Sequence, residues 1–319
     1  MNEIQPNQRS VQNPDVLIAG AGIIGLSLAL ELHARGASVT VLERDTALFH
    51  ASTAAAGMLA VNDPHNPPAL LPLAQFSASL YPAFLQRIEA LSGLAVPIQT
   101  HTTLQYSPGG SITTLAEQSL DPRQLAAALL AAVRATSIDL REHSVFRTAY
   151  ETSTSPLILT TGAWSPAPIV PHKGQMLRVQ LPQTLRLHEV HRSDDIYIVP
   201  RTQGPQAGTA LIGATDEDAG FDTTTYAATL AHLRALAAKL IPQLASETDA
   251  PQLEAWAGLR PATPDGLPLI GRLATNTFLA NGHYRNGILL APATASILAD
   301  LLESKSPTID LAPFSPERF

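Results

Sequence analysis

Val16-Leu-Ile-Ala-Gly20-Ala-Gly22-Ile-Ile-Gly25, with Val39-Thr-Val-Leu42-Glu43 soon after it, is the stretch on which the fold turns. The apolar run 16–19 reads as a short buried strand. Gly20, Gly22 and Gly25 form G-x-G-x-x-G between that strand and a helical pattern, the context this motif requires. Gly20 permits the tight turn, Gly22 lets backbone approach a pyrophosphate, and Gly25 lets the helix lie close to the strand. The spacing predicts a helix from Ile23 to Leu32, ended by Arg35-Gly36, and then a second, parallel strand over 39–42. Free N–H groups at the start of such a helix attract phosphate, and a carboxylate at Glu43 accepts hydrogen bonds from ribose hydroxyls. The motif does not separate a nicotinamide from a flavin dinucleotide.

Composition narrows the class. The chain has 319 residues, 45 % of them hydrophobic, enough for one large domain or two ordinary ones. Its net charge of −7 argues against a nucleic-acid binder that works by neutralising phosphate. There is no cysteine, which removes disulfides, thiolate metal sites, Cys nucleophiles and a Cys-linked flavin. The ten histidines show no metal spacing, so no metal is expected. The apolar run between Asp15 and Glu31 is fifteen residues, short of the roughly 20 that cross a bilayer. Residues 1–13 read as a polar, frayed tail without signal-peptide character. No membrane span and a cytoplasmic location are the expectation.

Further along, residues 73–91 carry a helical pattern, 96–106 read as strand, and Asp121-Pro122 opens a helix. Leu157–Thr160 is a buried strand ending at Thr161-Gly162. Strands follow over 174–181, 196–200 and 209–214, and an amphipathic helix over 225–241. The last part reads as strand 277–280, a Gly-rich turn, and a helix from near Pro292 to about Glu303.

Several motifs then act together: Ala54-Ala-Ala-Gly57-Met58-Leu, Gly162-Ala-Trp164-Ser, Lys173-Gly-Gln-Met176, Tyr197-Ile-Val-Pro-Arg201, Gly258-Leu-Arg260-Pro and Gly282-His-Tyr-Arg285-Asn-Gly287-Ile. On these the chain, from about residue 15 to its end, resembles the FAD-dependent D-amino-acid oxidase superfamily, and within it the glycine oxidases of thiamine biosynthesis. The resemblance implies an α/β fold: an interrupted, Rossmann-like FAD-binding domain (14–75, 120–165 and 257–319) with an inserted α+β substrate domain of mixed or antiparallel sheet (76–119 and 166–256). It implies a non-covalent FAD. Its contacts would fall on the Gly20, Gly22 and Gly25 loop with Ile23 and Ile24, on Glu43, Arg44 and Ser52, and on Ala56, Gly57 and Met58. They would continue at Val145, Thr161 and Gly162, and through His283, Tyr284, Arg285, Asn286, Gly287, Ile288 and Leu289. Arg260, Arg285 and the Tyr197 hydroxyl would hold a substrate carboxylate, since paired arginines in apolar surroundings call for an anion.

The implied reaction is oxidative deamination of glycine or another small amino acid, with oxygen as acceptor and no side-chain base. Oxidation of sarcosine or a D-amino acid, electron transfer to another acceptor, and FAD binding with impaired catalysis stay open as alternatives. Glycine oxidases tend to be homo-oligomers, and the low charge content leaves room for such an interface. Two features depart from the family. The segment between Met58 and Gly162 is short, which puts the adenine pocket near Val145 and the cover of the site in question. Asp216, in Gly213-Ala-Thr-Asp216-Glu, stands where the family carries an apolar residue near the substrate.

Overall fold

A computed structural model describes residues 14–146, 154–165 and 168–319. A six-stranded sheet carries the strands Leu269–Ala274, Thr277–Asn281, Leu157–Leu159, Val16–Ala19, Val39–Leu42 and Asp139–Arg141 in that order. All neighbours are parallel except the first two, which form an antiparallel hairpin. The strands 16–19 and 39–42 are buried along their whole length, as a sheet covered by helices on its faces demands.

The helices are α1 (Ile23–Ala34), α2 (Ala51–Ala54), α3 (Leu71–Ser92), α4 (Pro122–Arg134), α5 (Ala227–Leu240) and α6 (Gly287–Leu302). The expected turn, helix and second strand of the opening unit are all present, and Gly36 takes a φ of +92° just past α1. A Cβ on Gly25 would lie 2.0 Å from the Gly20 carbonyl oxygen, so only glycine lets α1 start this close to the strand. Asp121 caps α4, accepting from the Arg123 N–H at 2.9 Å, with Pro122 at the first helical position.

The final helix corrects the sequence reading. It begins at Gly287, not near Pro292, and carries that proline inside it. Pro292 cannot bond to the Ile288 carbonyl one turn back. The Tyr81 hydroxyl of α3 donates to that carbonyl instead, and Ser77 Oγ donates to Leu289 O while accepting from Ala293 N at 3.2 Å. These bonds from α3 repair the break, so the helix runs through the proline. Helices α1, α3, α4 and α6 share one apolar core with the six-stranded sheet. The domain boundary expected at residue 76 therefore falls inside α3.

A seven-stranded sheet runs Gln252–Ala262, Val170–Gln180, Thr209–Gly213, Tyr197–Arg201, Val190–Arg192, Thr103–Tyr106 and Ile112–Leu115. Its pairs are antiparallel except 190–192 with 103–106. One face buries Leu177, Ile198 and Ile212 under α5. The other turns Val199, Leu211, Tyr197 and Trp256 toward Ala56 and Met58. A three-stranded sheet (Met58–Leu59, Gln118–Leu120, Ile98–Thr100) sits beside it. The single strand expected over 96–106 is thus two strands, broken at 101–102 and paired in different sheets.

Candidate active site

Between the parallel sheet and the inner face of the seven-stranded sheet lies a cleft with about 1160 Å³ of empty space, its open mouth included. At one end it meets the start of α1. Gly22, Ile23 and Ile24 line it. Gly22 caps α1 with no side-chain bond, and the first turn of this helix, which starts on the cleft, holds no acidic residue. Ser52, also in the lining, accepts from the Ile23 N–H at 2.9 Å.

Gly20 and Gly25 shape this loop without lining the cleft. Gly20 has a φ of +109°, and a Cβ there would stand 2.5 Å from the Thr160 carbonyl oxygen. Glu43 is buried and braces the same loop, accepting from the N–H groups of Ala21 (2.7 Å) and Asp45 (2.9 Å). Arg44 lies outside the lining, its guanidinium 4.4 Å over the Trp164 ring.

The middle of the cleft is walled by Ala54–Met58. Gly57 has a φ of +89°, and a Cβ there would meet Leu120 O at 2.0 Å. Two side chains of the seven-stranded sheet hold this loop by its carbonyls. Arg201 Nη2 donates to Ala56 O at 2.9 Å, and Trp256 Nε1 donates to Ala54 O at 3.0 Å. Arg201 is fully buried, and burial lowers its pKa to about 10 despite the opposing charge of Asp121. Sequence reasoning missed both as loop anchors, since their partners lie 145 and 202 residues away.

Arg260, Arg285 and Tyr197 converge at the far end. The Arg260 guanidinium lies directly on Gly174, where a Cβ would sit 2.2 Å from Nη2, and its Nη1 donates to Thr215 O at 2.9 Å. Burial pushes the Tyr197 hydroxyl up in pKa, while the charges of Arg260 and Arg285 both pull it down. Arg285 is held by Asp63, Nη2 to Oδ2 at 3.0 Å. Asp63 is 5 % exposed, and the same oxygen faces Arg192 Nη1 at 3.6 Å, which in turn meets Glu117 Oε2 at 3.1 Å. Burial alone would raise the Asp63 pKa; the charges of Arg285 and Arg192 outweigh it, and the carboxyl sits below its usual range. Asp63 lines the cleft and was not singled out in the sequence, because it lies in a Pro-rich stretch that reads as loop.

The remaining wall is the start of α6. His283, Tyr284, Asn286, Gly287 and Ile288 line the cleft, whereas Leu289 is buried behind it. The His283 imidazole is turned to Thr294 Oγ1 at 3.0 Å, and burial lowers its pKa to about 3, so it is a neutral structural ring. Asn286 caps α6 without a side-chain bond to it, so a second helix N-terminus opens on the cleft. Gly162 lines the cleft and Thr161 stands next to it, outside the lining. Val145 is not brought to the site; it is 58 % exposed. Asp216 lies outside the lining, its Oδ1 3.8 Å from Arg260 Nη1.

Two helix N-termini, glycines where a Cβ would intrude, and a wall of alanines fit a ligand with a pyrophosphate at one end and a flat ring at the other. The donor chemistry therefore suits a flavin dinucleotide. The model of the FAD dependent oxidoreductase family, known as DAO, matches residues 15–118 and 99–301.

The chain belongs to this family.

As an FAD dependent oxidoreductase it uses FAD as its cofactor. It is 36 % identical to the bifunctional protein ThiO/ThiG of Trichormus variabilis, over 96 % of this chain and 55 % of that protein. The chain thus spans about half the length of such relatives. It is 32 % identical to a glycine oxidase of Pseudomonas aeruginosa, over 94 % of this chain and 98 % of the other. That alignment runs over 365 residues, more than the 319 present here, so the relative carries residues this family member lacks. The crystal structure of glycine oxidase from Geobacillus kaustophilus superposes with a TM-score of 0.87 at 28 % identity, covering 97 % of this chain and 100 % of that one. No helix among the described residues is long and apolar enough to cross a membrane, and no three potential metal ligands gather among them.

Proposed function

We propose that the chain oxidises glycine or another small amino acid to its imine, which water converts to the 2-oxo acid and ammonia, while oxygen is reduced to hydrogen peroxide. The observation that carries this reading is the convergence of Arg260, Arg285 and Tyr197 in the cleft that also receives both helix N-termini. The likeness to the glycine oxidases supports it, and the ThiO/ThiG likeness supports a place in making the thiamine thiazole.

The backbone of Gly22, Ile23 and Ile24 at the start of α1, beside Ser52, would hold the pyrophosphate of FAD. Ala54–Met58, held by Arg201 and Trp256, would offer its small side chains to the flat ring without a covalent link. FAD when bound supplies the two-electron acceptor for the substrate's Cα–H. The chain's own work is positioning. Arg260 and Arg285 each offer an N–H to one substrate carboxylate, and the Tyr197 hydroxyl donates a third bond. A carboxylate fixed at three points leaves Cα little freedom, which can lower the barrier by several kcal/mol. Burial keeps Tyr197 protonated, and so a donor, at neutral pH. The N-terminus of α6 favours negative charge developing in the cleft.

The division of labour follows: the parallel sheet with α1, α3, α4 and α6 holds FAD, and the seven-stranded sheet supplies Arg260 and Tyr197. Such a protein works in the cytoplasm. The test is stoichiometry. With glycine the enzyme should consume oxygen and release glyoxylate, ammonia and hydrogen peroxide in equal amounts. Glyoxylate formed without peroxide would refute oxygen as acceptor.

A further inference from the structure

Each arginine of the proposed carboxylate clamp already has an aspartate. Arg285 has the buried Asp63 at 3.0 Å. Arg260 has Asp216, whose Oδ1 lies 3.8 Å from Nη1. The two aspartates differ in placement. Asp216 lies outside the cleft lining, behind Arg260, with its side chain 51 % exposed, on the segment that follows the strand Thr209–Gly213. It is held there by two further groups from different elements. The Tyr284 hydroxyl, from the loop leading into α6, donates to Oδ2, and His172 Nδ1, from the strand Val170–Gln180, lies 3.0 Å from Oδ1. The Tyr284 and His172 rings meet edge to face at 5.6 Å. Tyr284 takes a φ of +47°, a backbone form that a tyrosine rarely adopts and that structure around it must enforce. Burial pulls the Asp216 pKa up, but the bonds from Tyr284 and His172 and the charge of Arg260 hold it below its usual range, so it is ionised at neutral pH.

The charge balance has a consequence for ligand choice. Arg260 spends one N–H on Thr215 O and shares its charge with Asp216. Two arginines and two aspartates sum to zero. One substrate carboxylate is still welcome, because directed N–H and O–H donors face the cleft. A second negative group beside Arg260 would find no uncompensated cation, because Asp216 already offsets that charge. We infer that Asp216 is a specificity-determining residue that confines the site to ligands bearing a single negative group, so that dicarboxylic amines are rejected and neutral small amino acids accepted. Asp216 has this role only if Arg260 anchors a carboxylate, as proposed above.

The test compares propionate with malonate, acids of equal carbon count and different charge, by titration calorimetry on the FAD-loaded protein. Wild type should prefer propionate, and the preference should shrink as salt rises. Asp216→Asn removes the charge and keeps the shape, and should shift the ratio of dissociation constants toward malonate by about tenfold. Glu247→Gln, at a carboxylate 78 % exposed and outside the cleft, should leave the ratio unchanged. Both acids are measured on one preparation, so partial loss of folded protein cancels. An Asp216→Asn ratio equal to wild type overturns the inference, as does an equal shift in Glu247→Gln. If wild type binds neither acid, the anchor reading of Arg260 falls, and the role of Asp216 falls with it. If both acids bind and the ratio shifts but no amine is oxidised, the role of Asp216 stands and only the oxidase reading fails.

Discussion

Gly174→Ala isolates the carboxylate clamp from the fold. A Cβ at this position would lie 2.2 Å from Arg260 Nη2, 2.5 Å from Cζ and 2.6 Å from Nη1. Ordinary contact starts near 3.4 Å, so the guanidinium must retreat by roughly 1.2 Å. The atoms it meets are the free end of a flexible side chain, and Gly174 needs no positive φ. The fold therefore tolerates the methyl group, and an alanine in a strand interior is favoured over glycine by about 0.5–1 kcal/mol. Tm should move by no more than about 3 °C, and FAD content should be unchanged. Binding should suffer. Losing one charged hydrogen bond to the substrate costs about 1.5–3 kcal/mol, or roughly 10- to 150-fold in kcat/KM. The assay is steady-state oxidation of glycine by wild type, Gly174→Ala, Arg260→Ala and the double variant. If the methyl group acts only through Arg260, it costs nothing further once Arg260 is gone. A full additional loss in the double variant, or an unchanged kcat/KM in the single one, would refute the reasoning.

Other perturbations read other parts of the site. Arg285→Ala should raise KM for glycine about 10- to 100-fold with FAD content retained; loss of FAD with KM unchanged would contradict the clamp. Gly25→Ala puts a methyl group 2.0 Å from the Gly20 carbonyl, backbone that cannot give way, and should cost about 1–3 kcal/mol in urea unfolding and release FAD. Asp63 has a lowered pKa in the folded protein, so its contribution to stability is complete above the ordinary carboxylate value of about 3.9 and is lost as pH falls through the lowered one. Asp63→Asn should therefore lose less stability than wild type between pH 5 and pH 3, measured as the shift in urea midpoint; equal losses would show that Asp63 is not the coupled group.

The opening βαβ unit was legible because every determinant lies within thirty residues and acts through spacing. Arg260, Arg285 and Tyr197 were legible as residue types in motifs, and they meet in space. The roles of their supports were not. Asp63 and Arg285 are 222 residues apart, and nothing local in a Pro-rich loop marks an aspartate as buried. Pro292 was read as a helix start because the hydroxyl that rescues the helix through it comes from Tyr81, 207 residues before the carbonyl it satisfies. The strand Ile112–Leu115 escaped notice because it is a largely exposed edge carrying two threonines, with no apolar alternation to follow. Val145 was named from the family resemblance alone; here it lies outside the cleft lining with 58 % of it exposed, which no local pattern signals.

Flavin reduction tests the central claim most directly. Purified protein is made anaerobic, glycine is added, and the visible flavin band is followed before oxygen is readmitted. The account predicts a bound flavin band that glycine bleaches and oxygen restores, with hydrogen peroxide formed. A full flavin band that neither glycine nor any other small amino acid can bleach would contradict it.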